Sequence, residues 1–223
     1  MSPSEFPGIG MTSARTRDRL IQRLREQGIH NEAVLDRIAS VPRHIFVDEA
    51  LASRAYEDTA LPLGFGQTIS QPFIVALMTQ ALLGENGNSL GRVLEIGCGC
   101  GYQTAVLAGF AQHVFAVERI GALVQRARDN MRALGINNVS IRHSDGFKGW
   151  SGQGPFDAIL VAAAPYEVPE ALQAQLKDGA SLVIPIGPSG KQNLVVVRRE
   201  GEAFERRQLA AVAFVPMLEG IDR

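Results

Sequence analysis

The chain should fold as an α/β domain on a mostly parallel sheet, and three features of its sequence say so. From Leu90 onward, short apolar runs alternate with amphipathic helical stretches, the pattern of strands joined by crossover helices. One such run, Val93-Leu94-Glu95-Ile96, opens into Gly97-Cys98-Gly99-Cys100-Gly101 and then a helical segment from Tyr102. Strand, glycine turn and helix in that order bring backbone N–H groups against a bound ligand. The last two apolar runs have no packed helix between them, so the sheet should finish in a hairpin.

The elements follow in order. Ser2, Pro3, Pro7, Gly8 and Gly10 make residues 1–11 a flexible tail. Residues 12–27 read as a helix with Leu20, Ile21 and Leu24 on one face and most of its arginines elsewhere, ended by Gly28. Asn31 caps a second helix with Val34, Leu35 and Ile38 on one face, stopped at Val41-Pro42. Residues 43–63 look irregular, with a short helix near 48–53. Residues 72–83 form a helix whose Pro72 sits in the first turn, where its missing N–H costs nothing, and Ser70 or Gln71 could cap it. Seven strands are expected: 92–96, 113–118, 139–143, 156–161, 181–186, 193–198 and 208–215. Helices are expected at 102–109, 120–134 and 168–176, and a charged turn at 199–207. One domain, 12–223, then holds an N-terminal helical and substrate segment (12–84), a ligand-binding core (90–190) and a C-terminal hairpin (191–223).

With 223 residues, 46% of them apolar and 20% charged, the chain is long enough for a real core and of ordinary globular composition. A net charge of −1 argues against broad nucleic-acid binding, which needs a basic footprint. No apolar stretch is long enough to span a membrane, and Met1 to Gly10 lacks the basic start and apolar core of a secretory signal, so a cytoplasmic location is expected. The two cysteines, Cys98 and Cys100, are badly spaced for a disulfide, and the four histidines lack metal-ligand spacing, so no metal is expected.

The glycine run departs from a dinucleotide fingerprint, because Tyr102 stands where the third glycine should be and Gly101 comes one residue early. G-x-G-x-G with an acid just ahead points instead to S-adenosyl-L-methionine (AdoMet). Glu118 closes the next strand, 21 residues after Gly97, where a carboxylate can accept from two ribose hydroxyls. Asp145-Gly146 follows the third strand and would face an adenine amino group, although a plain Asp-Gly turn explains it equally. Glu95, between apolar neighbours, must find a hydrogen bond in the loop or in the charged end of the ligand. In Gly66-Gln67-Thr68-Ile69-Ser70-Gln71-Pro72, capping alone accounts for Ser70; the alternative is a carboxylate site made by the Thr68 and Ser70 hydroxyls.

Taken together, Val41-Pro42-Arg43, Phe46 to Glu49, Gly66 to Pro72, Val93 to Tyr102, Val117-Glu118-Arg119, Asp145-Gly146, Pro155-Phe156-Asp157 and Phe214-Val215-Pro216 resemble the protein-L-isoaspartate (D-aspartate) O-methyltransferase family, from about Thr12 to Gly220. Its specific part is Thr-Ile-Ser-Gln-Pro ahead of the glycine loop. The resemblance implies a Rossmann-like AdoMet-dependent fold with a seven-stranded, mostly parallel sheet whose last strand is reversed, plus N-terminal helices. It implies Ser70 as the active-site residue, and Ser70, Glu95, Gly97, Gly99, Gly101, Glu118, Asp145 and Gly146 around AdoMet, which leaves as S-adenosyl-L-homocysteine. Thr68, Ser70 and Val215 would meet the substrate, an isoaspartyl peptide or protein, with Phe214 to Pro216 as a strand offering its backbone. A monomer that binds neither nucleic acid nor membrane is expected. The chain departs from the family's pattern at Cys98 and Cys100 (usually Thr and Ser), Ala162 (commonly Thr), Ala213 (usually Arg) and Met217 (usually Leu). A methyltransferase for another acceptor, such as a small carboxylic acid or a nucleic acid, is one rival reading; a non-catalytic peptide-binding module is another.

Overall fold

A computed structural model describes residues 12–84 and 89–222; the expected tail, 1–11, lies outside them. Helix α1 (Ala14–Glu26) buries Leu20 and Leu24 and ends in a Schellman motif, with Gly28 at φ 100° and the Ile29 N–H donating to Leu24 O at 3.1 Å. Helix α2 (Glu32–Ser40) starts as expected, Asn31 accepting from the Val34 N–H at 3.2 Å. Two 3₁₀ turns, Arg43–Phe46 and Glu49–Arg54, follow. The stretch expected to be irregular then ends in an antiparallel hairpin, β1 (Leu61–Gly64) and β2 (Gln67–Ile69), with Leu61, Leu63 and Ile69 packed inward. Helix α3 (Pro72–Leu83) has the expected bounds.

The main sheet contains β3 (Leu90–Ile96), β4 (Ala111–Glu118), β5 (Val139–His143), β6 (Phe156–Val161), β7 (Leu176–Ile186), β8 (Gln192–Glu200) and β9 (Ala203–Val212), ordered β5-β4-β3-β6-β7-β8-β9. Helices α4 (Tyr102–Leu107), α5 (Gly121–Ala133) and α6 (Glu170–Gln173) lie between the parallel strands. Strands β3 to β7 run parallel, while β8 is antiparallel to both neighbours. The seven-stranded, mostly parallel sheet is as expected, but the reversed strand is β8, the sixth, and β9 again runs with the core.

Three local expectations are corrected. The helix expected over 168–176 shrinks to the single turn α6, because the Phe156 N–H donates to Gln175 O at 2.8 Å and draws Leu176 into the sheet. The charged stretch 199–207 is mostly paired strand, with Glu200 opposite Ala203. Glu205, Arg206 and Arg207 decorate the exposed edge strand β9, a common guard against edge-to-edge pairing. Phe214 to Pro216 is no strand of the sheet. It is an extended strap bonded to the loop after β6: the Ala164 N–H donates to Val215 O at 2.8 Å and the Met217 N–H to Ala164 O at 2.9 Å.

The chain moves outward from β3 to β5, then returns to β6 on the other side of β3. That reversal opens a crevice at the strands' carboxyl ends, the usual binding place in such sheets. No helix among the described residues is long and apolar enough to cross a membrane.

Candidate active site

At that crevice lies a cleft of about 860 Å³, its open mouth included. Its floor is the glycine loop. Gly97, Gly99 and Gly101 have φ of 80°, 55° and 88°, a region that side-chain-bearing residues rarely adopt. The loop is pinned on both sides, the Gly97 N–H donating to Val117 O at 2.7 Å and the Asn130 amide to Cys100 O at 2.9 Å. A Cβ on Gly99 would meet only Leu63 Cδ1, at 3.7 Å, and Leu63 lines the cleft, so at Gly99 the loop offers bare backbone as a cradle between Cys98 and Cys100.

Glu118 ties that cradle to the end of β4. Its Oε2 accepts from the Gly99 N–H at 3.0 Å, while Oε1 accepts from the N–H groups of Arg119 and Ile120 at 2.7 and 2.9 Å. The carboxylate still lines the cleft, and one lone-pair site, on Oε2, remains for a hydroxyl donor. Ile96, Val117, Ile120 and Met217 supply apolar walls. Acceptor, cradle and apolar walls together fit AdoMet.

Of the expected residues, Thr68, Ser70, Gly97, Gly99, Glu118, Gly146 and Val215 line the cleft; Glu95, Gly101 and Asp145 do not. Gly101 is required by packing, since a Cβ there would come within 3.0 Å of Met131 Cε and 3.3 Å of Ala127 Cβ on α5. Asp145 adopts the plain-turn alternative, its Oδ1 accepting from the Phe147 N–H at 2.9 Å. Neither Ser70 nor Gln71 caps α3 through its side chain. Asp58 Oδ1 takes that place, accepting from the Phe73 N–H at 2.9 Å, so the Ser70 hydroxyl is left facing the cleft with no protein partner among the described residues.

Glu95 lies fully buried behind the loop, and neither of its oxygens has a hydrogen-bond partner among the described residues. Burial lifts its pKa from 4.5 to about 8; the nearby Thr104 hydroxyl opposes this and is outweighed, and the Glu118 charge adds to it. The folded value exceeds the unfolded one, so folding takes up a proton that the unfolded chain lacks between about pH 4.5 and 8. Stability should therefore fall as pH rises through that window, by at most about 1.4 kcal/mol per pH unit. Glu95→Gln should flatten the change in melting temperature between pH 6 and pH 8; an unaltered slope would show that Glu95 is not its source.

Both cysteines are free and buried beside the cradle. Burial pushes the Cys98 thiol well up, helped by the Glu95 and Glu118 charges, and Cys100 up to about 11. At pH 8 both remain thiols, the unreactive form. An aromatic disulfide reagent should thus titrate neither within minutes in the native protein and both after denaturation. Rapid labelling of the folded chain would contradict this burial.

Among the described residues, the cleft lining contains no histidine or lysine. His44 is engaged with the Tyr56 hydroxyl at 2.9 Å, and His143 Nε2 lies 2.9 and 3.0 Å from the carbonyls of Arg119 and Asp222. Several lining residues escaped sequence reasoning: Leu63 and Gln67 from the hairpin, and Met217 and Leu218 from the strap. Gly64 and Gly66, flanking Phe65, were the available signal for the hairpin.

A sequence profile of the protein-L-isoaspartate (D-aspartate) O-methyltransferases matches residues 15–222. The chain belongs to that family. Two relatives named protein-L-isoaspartate O-methyltransferase agree closely with it. The one from Halorhodospira halophila is 57% identical over 96% of each chain, and the one from Dechloromonas aromatica 58% identical over 96% of this chain and 98% of its own. Solved isoaspartate methyltransferases share the fold. One superposes with a TM-score of 0.80 at 29% identity, covering 90% of this chain and 65% of its own. Another, from Plasmodium falciparum, described as a beta-aspartate methyltransferase in complex with S-adenosyl-L-homocysteine, gives 0.76 at 27% identity, covering 90% and 97%. Against the family's pattern, Met217 sits with its Cε 3.2 Å from where a Cβ on Gly146 would lie, and the carbonyl carbon of Ala162 lies 3.7 Å from where a Cβ on Gly97 would stand. Ala213, where the family usually has arginine, is exposed at the head of the strap.

Proposed function

We propose that the chain transfers a methyl group from AdoMet to the free α-carboxylate of L-isoaspartyl residues in damaged proteins and peptides. The observation that carries this reading is the unengaged Ser70 hydroxyl in the same cleft as the glycine cradle, with no histidine or lysine beside it. A peptide carboxylate, with a pKa near ~3.5 to 4, arrives already ionised at neutral pH and needs no base.

Gly97, Gly99, Glu118 and Gly146 would hold AdoMet. Bound there, it supplies an electrophilic methyl carbon on a positively charged sulfur and leaves as S-adenosyl-L-homocysteine. Ser70 donates a hydrogen bond to one carboxylate oxygen and thereby turns the other toward the cradle. Thr68, one residue beyond Gln67 on the hairpin, supplies a second hydroxyl at the same wall. The strap residue Val215 completes the site beside Ala163, with its carbonyl already committed to Ala164. Alignment and exclusion of water are what these residues contribute. The neighbouring backbone amide nitrogen then attacks the ester carbonyl, expelling methanol and closing a succinimide, whose hydrolysis returns part of the material to normal aspartate.

Glu95, Gly101 and Asp145 support the site from outside the lining: Gly101 packs the loop onto α5 and Asp145 fixes the turn that presents Gly146. We take the enzyme to be a cytoplasmic monomer. Free cysteines support the location, and a net charge of −1 the absence of a nucleic-acid partner.

The test offers methyl-labelled AdoMet to an isoaspartyl peptide and to its normal-aspartyl twin. Base-labile label on the first alone is the expected result. Label on both or on neither would overturn the reading.

A further inference from the structure

Among the described residues, the large apolar side chains left exposed are Phe65, Tyr166, Leu218 and Ile221. Three of them sit in or next to cleft-lining segments. Phe65 is the tip of the hairpin between Leu63 and Gln67, Tyr166 follows the cleft-lining Ala162 and Ala163 by a few residues, and Leu218 lines the cleft itself. Single exposed apolar residues are ordinary; their gathering on the segments that border one cleft is not.

Phe65 carries a second oddity. It lies at φ 53°, between Gly64 at 83° and Gly66 at 68°, in a left-handed turn that suits glycine, asparagine or aspartate. A phenylalanine there accepts backbone strain and also leaves its ring 63% exposed. Both are unfavourable to the isolated fold, and strain kept at a site's edge points to a task. Tyr166 is 78% exposed, yet its loop is fixed: the Gly187 N–H donates to Pro165 O at 3.0 Å, and Ala164 is bonded to the strap on both sides. Side chains held on rigid supports lose little freedom when they are covered.

Resting on the function proposed above, we infer that Phe65 and Tyr166 form an apolar rim that grips the residues flanking the isoaspartyl, so that bulky apolar neighbours are preferred over small ones. The occupant follows from continuity with the cleft. A carboxylate at Ser70 places the adjoining peptide at the mouth, beside the hairpin tip and the loop after β6. Covering about 55 Å² of apolar surface at ~25 cal/mol per Å² corresponds to roughly tenfold in kcat/KM.

The experiment compares an isoaspartyl peptide bearing leucine on both sides with one bearing glycine on both sides. The full chain should favour the leucine peptide by about tenfold. In the double variant Phe65→Asn, Tyr166→Ser, the ratio should fall to within about twofold of unity; asparagine tolerates the left-handed turn, so the hairpin is retained. A ratio near one in the unaltered chain would overturn the rim without any variant being needed, and so would a tenfold ratio surviving in the double variant. Equal methylation of both peptides leaves the isoaspartyl activity standing while the rim falls. Methylation of neither would overturn both.

Discussion

Ser70→Ala is expected to lower kcat/KM for an isoaspartyl peptide by about 10²-fold while leaving the folded state intact. The magnitude is that of removing one well-placed donor from a water-poor site. The separation of rate from stability follows from the capping of α3. Asp58, fifteen residues away from the Phe73 N–H it receives, has taken the role that a serine at this position would ordinarily fill. Ser70→Ala should therefore shift the melting temperature by no more than a degree or two, and binding of S-adenosyl-L-homocysteine by no more than about threefold. Asp58→Ala should do the reverse to the fold, costing roughly 1 kcal/mol as a lost cap does. Kinetics on peptide together with thermal melts of the two variants decide the matter. If Ser70→Ala kept full activity, or melted as early as Asp58→Ala, the hydroxyl would not be the positioning group.

Glu118→Ala should be the most damaging change to the cofactor side. The carboxylate receives three backbone N–H groups, from Gly99, Arg119 and Ile120, and so joins the cradle to the end of β4. Its removal leaves those donors without their acceptor at a nearly buried position, and bonds to a charged group carry about 1.5 to 3 kcal/mol each. Water entering from the cleft replaces part of that loss. A net destabilisation of about 2 to 4 kcal/mol is expected, with S-adenosyl-L-homocysteine affinity reduced at least ~10²-fold in calorimetry. Glu118→Gln retains one oxygen and should fall between. Equal affinity in all three proteins would remove Glu118 from the site.

The parts of this architecture that were legible in the sequence are those set by local chemistry. Pro72 at the first turn and Gly84 just past the last mark α3 at both ends. Asn31 caps α2 with its own side chain, and Gly28 closes α1. The glycine loop was visible because three residues at positive φ leave little choice of side chain. What escaped was decided by partners distant in the chain. Strands β1 and β2, four and three residues long, are too short to show a period of two. The start of β7 depends on the Phe156 N–H reaching Gln175 O, and no helical pattern in 168–176 reveals that bond. The strap is extended only because Ala164 pairs with it.

The same contrast runs through the site. Glu118 and the lining glycines Gly97 and Gly99 could be located from type and spacing, since each sits at an element boundary, whereas Ser70 and Gly146 are singled out by the family resemblance. From the residues alone Glu95 and Asp145 stay open between the ligand and the local backbone, and only the family resemblance places them around AdoMet. Here one is sealed behind the loop and the other spends an oxygen on its own turn. Whether a carboxylate at such an end faces inward or outward depends on the packing of α4 and the turn after β5, which spacing does not encode.

The most direct measurement is a crystal structure of the chain with S-adenosyl-L-homocysteine and an isoaspartyl peptide together. The account predicts the nucleoside hydroxyls against Glu118 and the peptide carboxylate within about 3 Å of Ser70 Oγ, on the side of the glycine cradle. A nucleoside bound away from Glu118, or a carboxylate held by other groups with Ser70 turned from it, would contradict it.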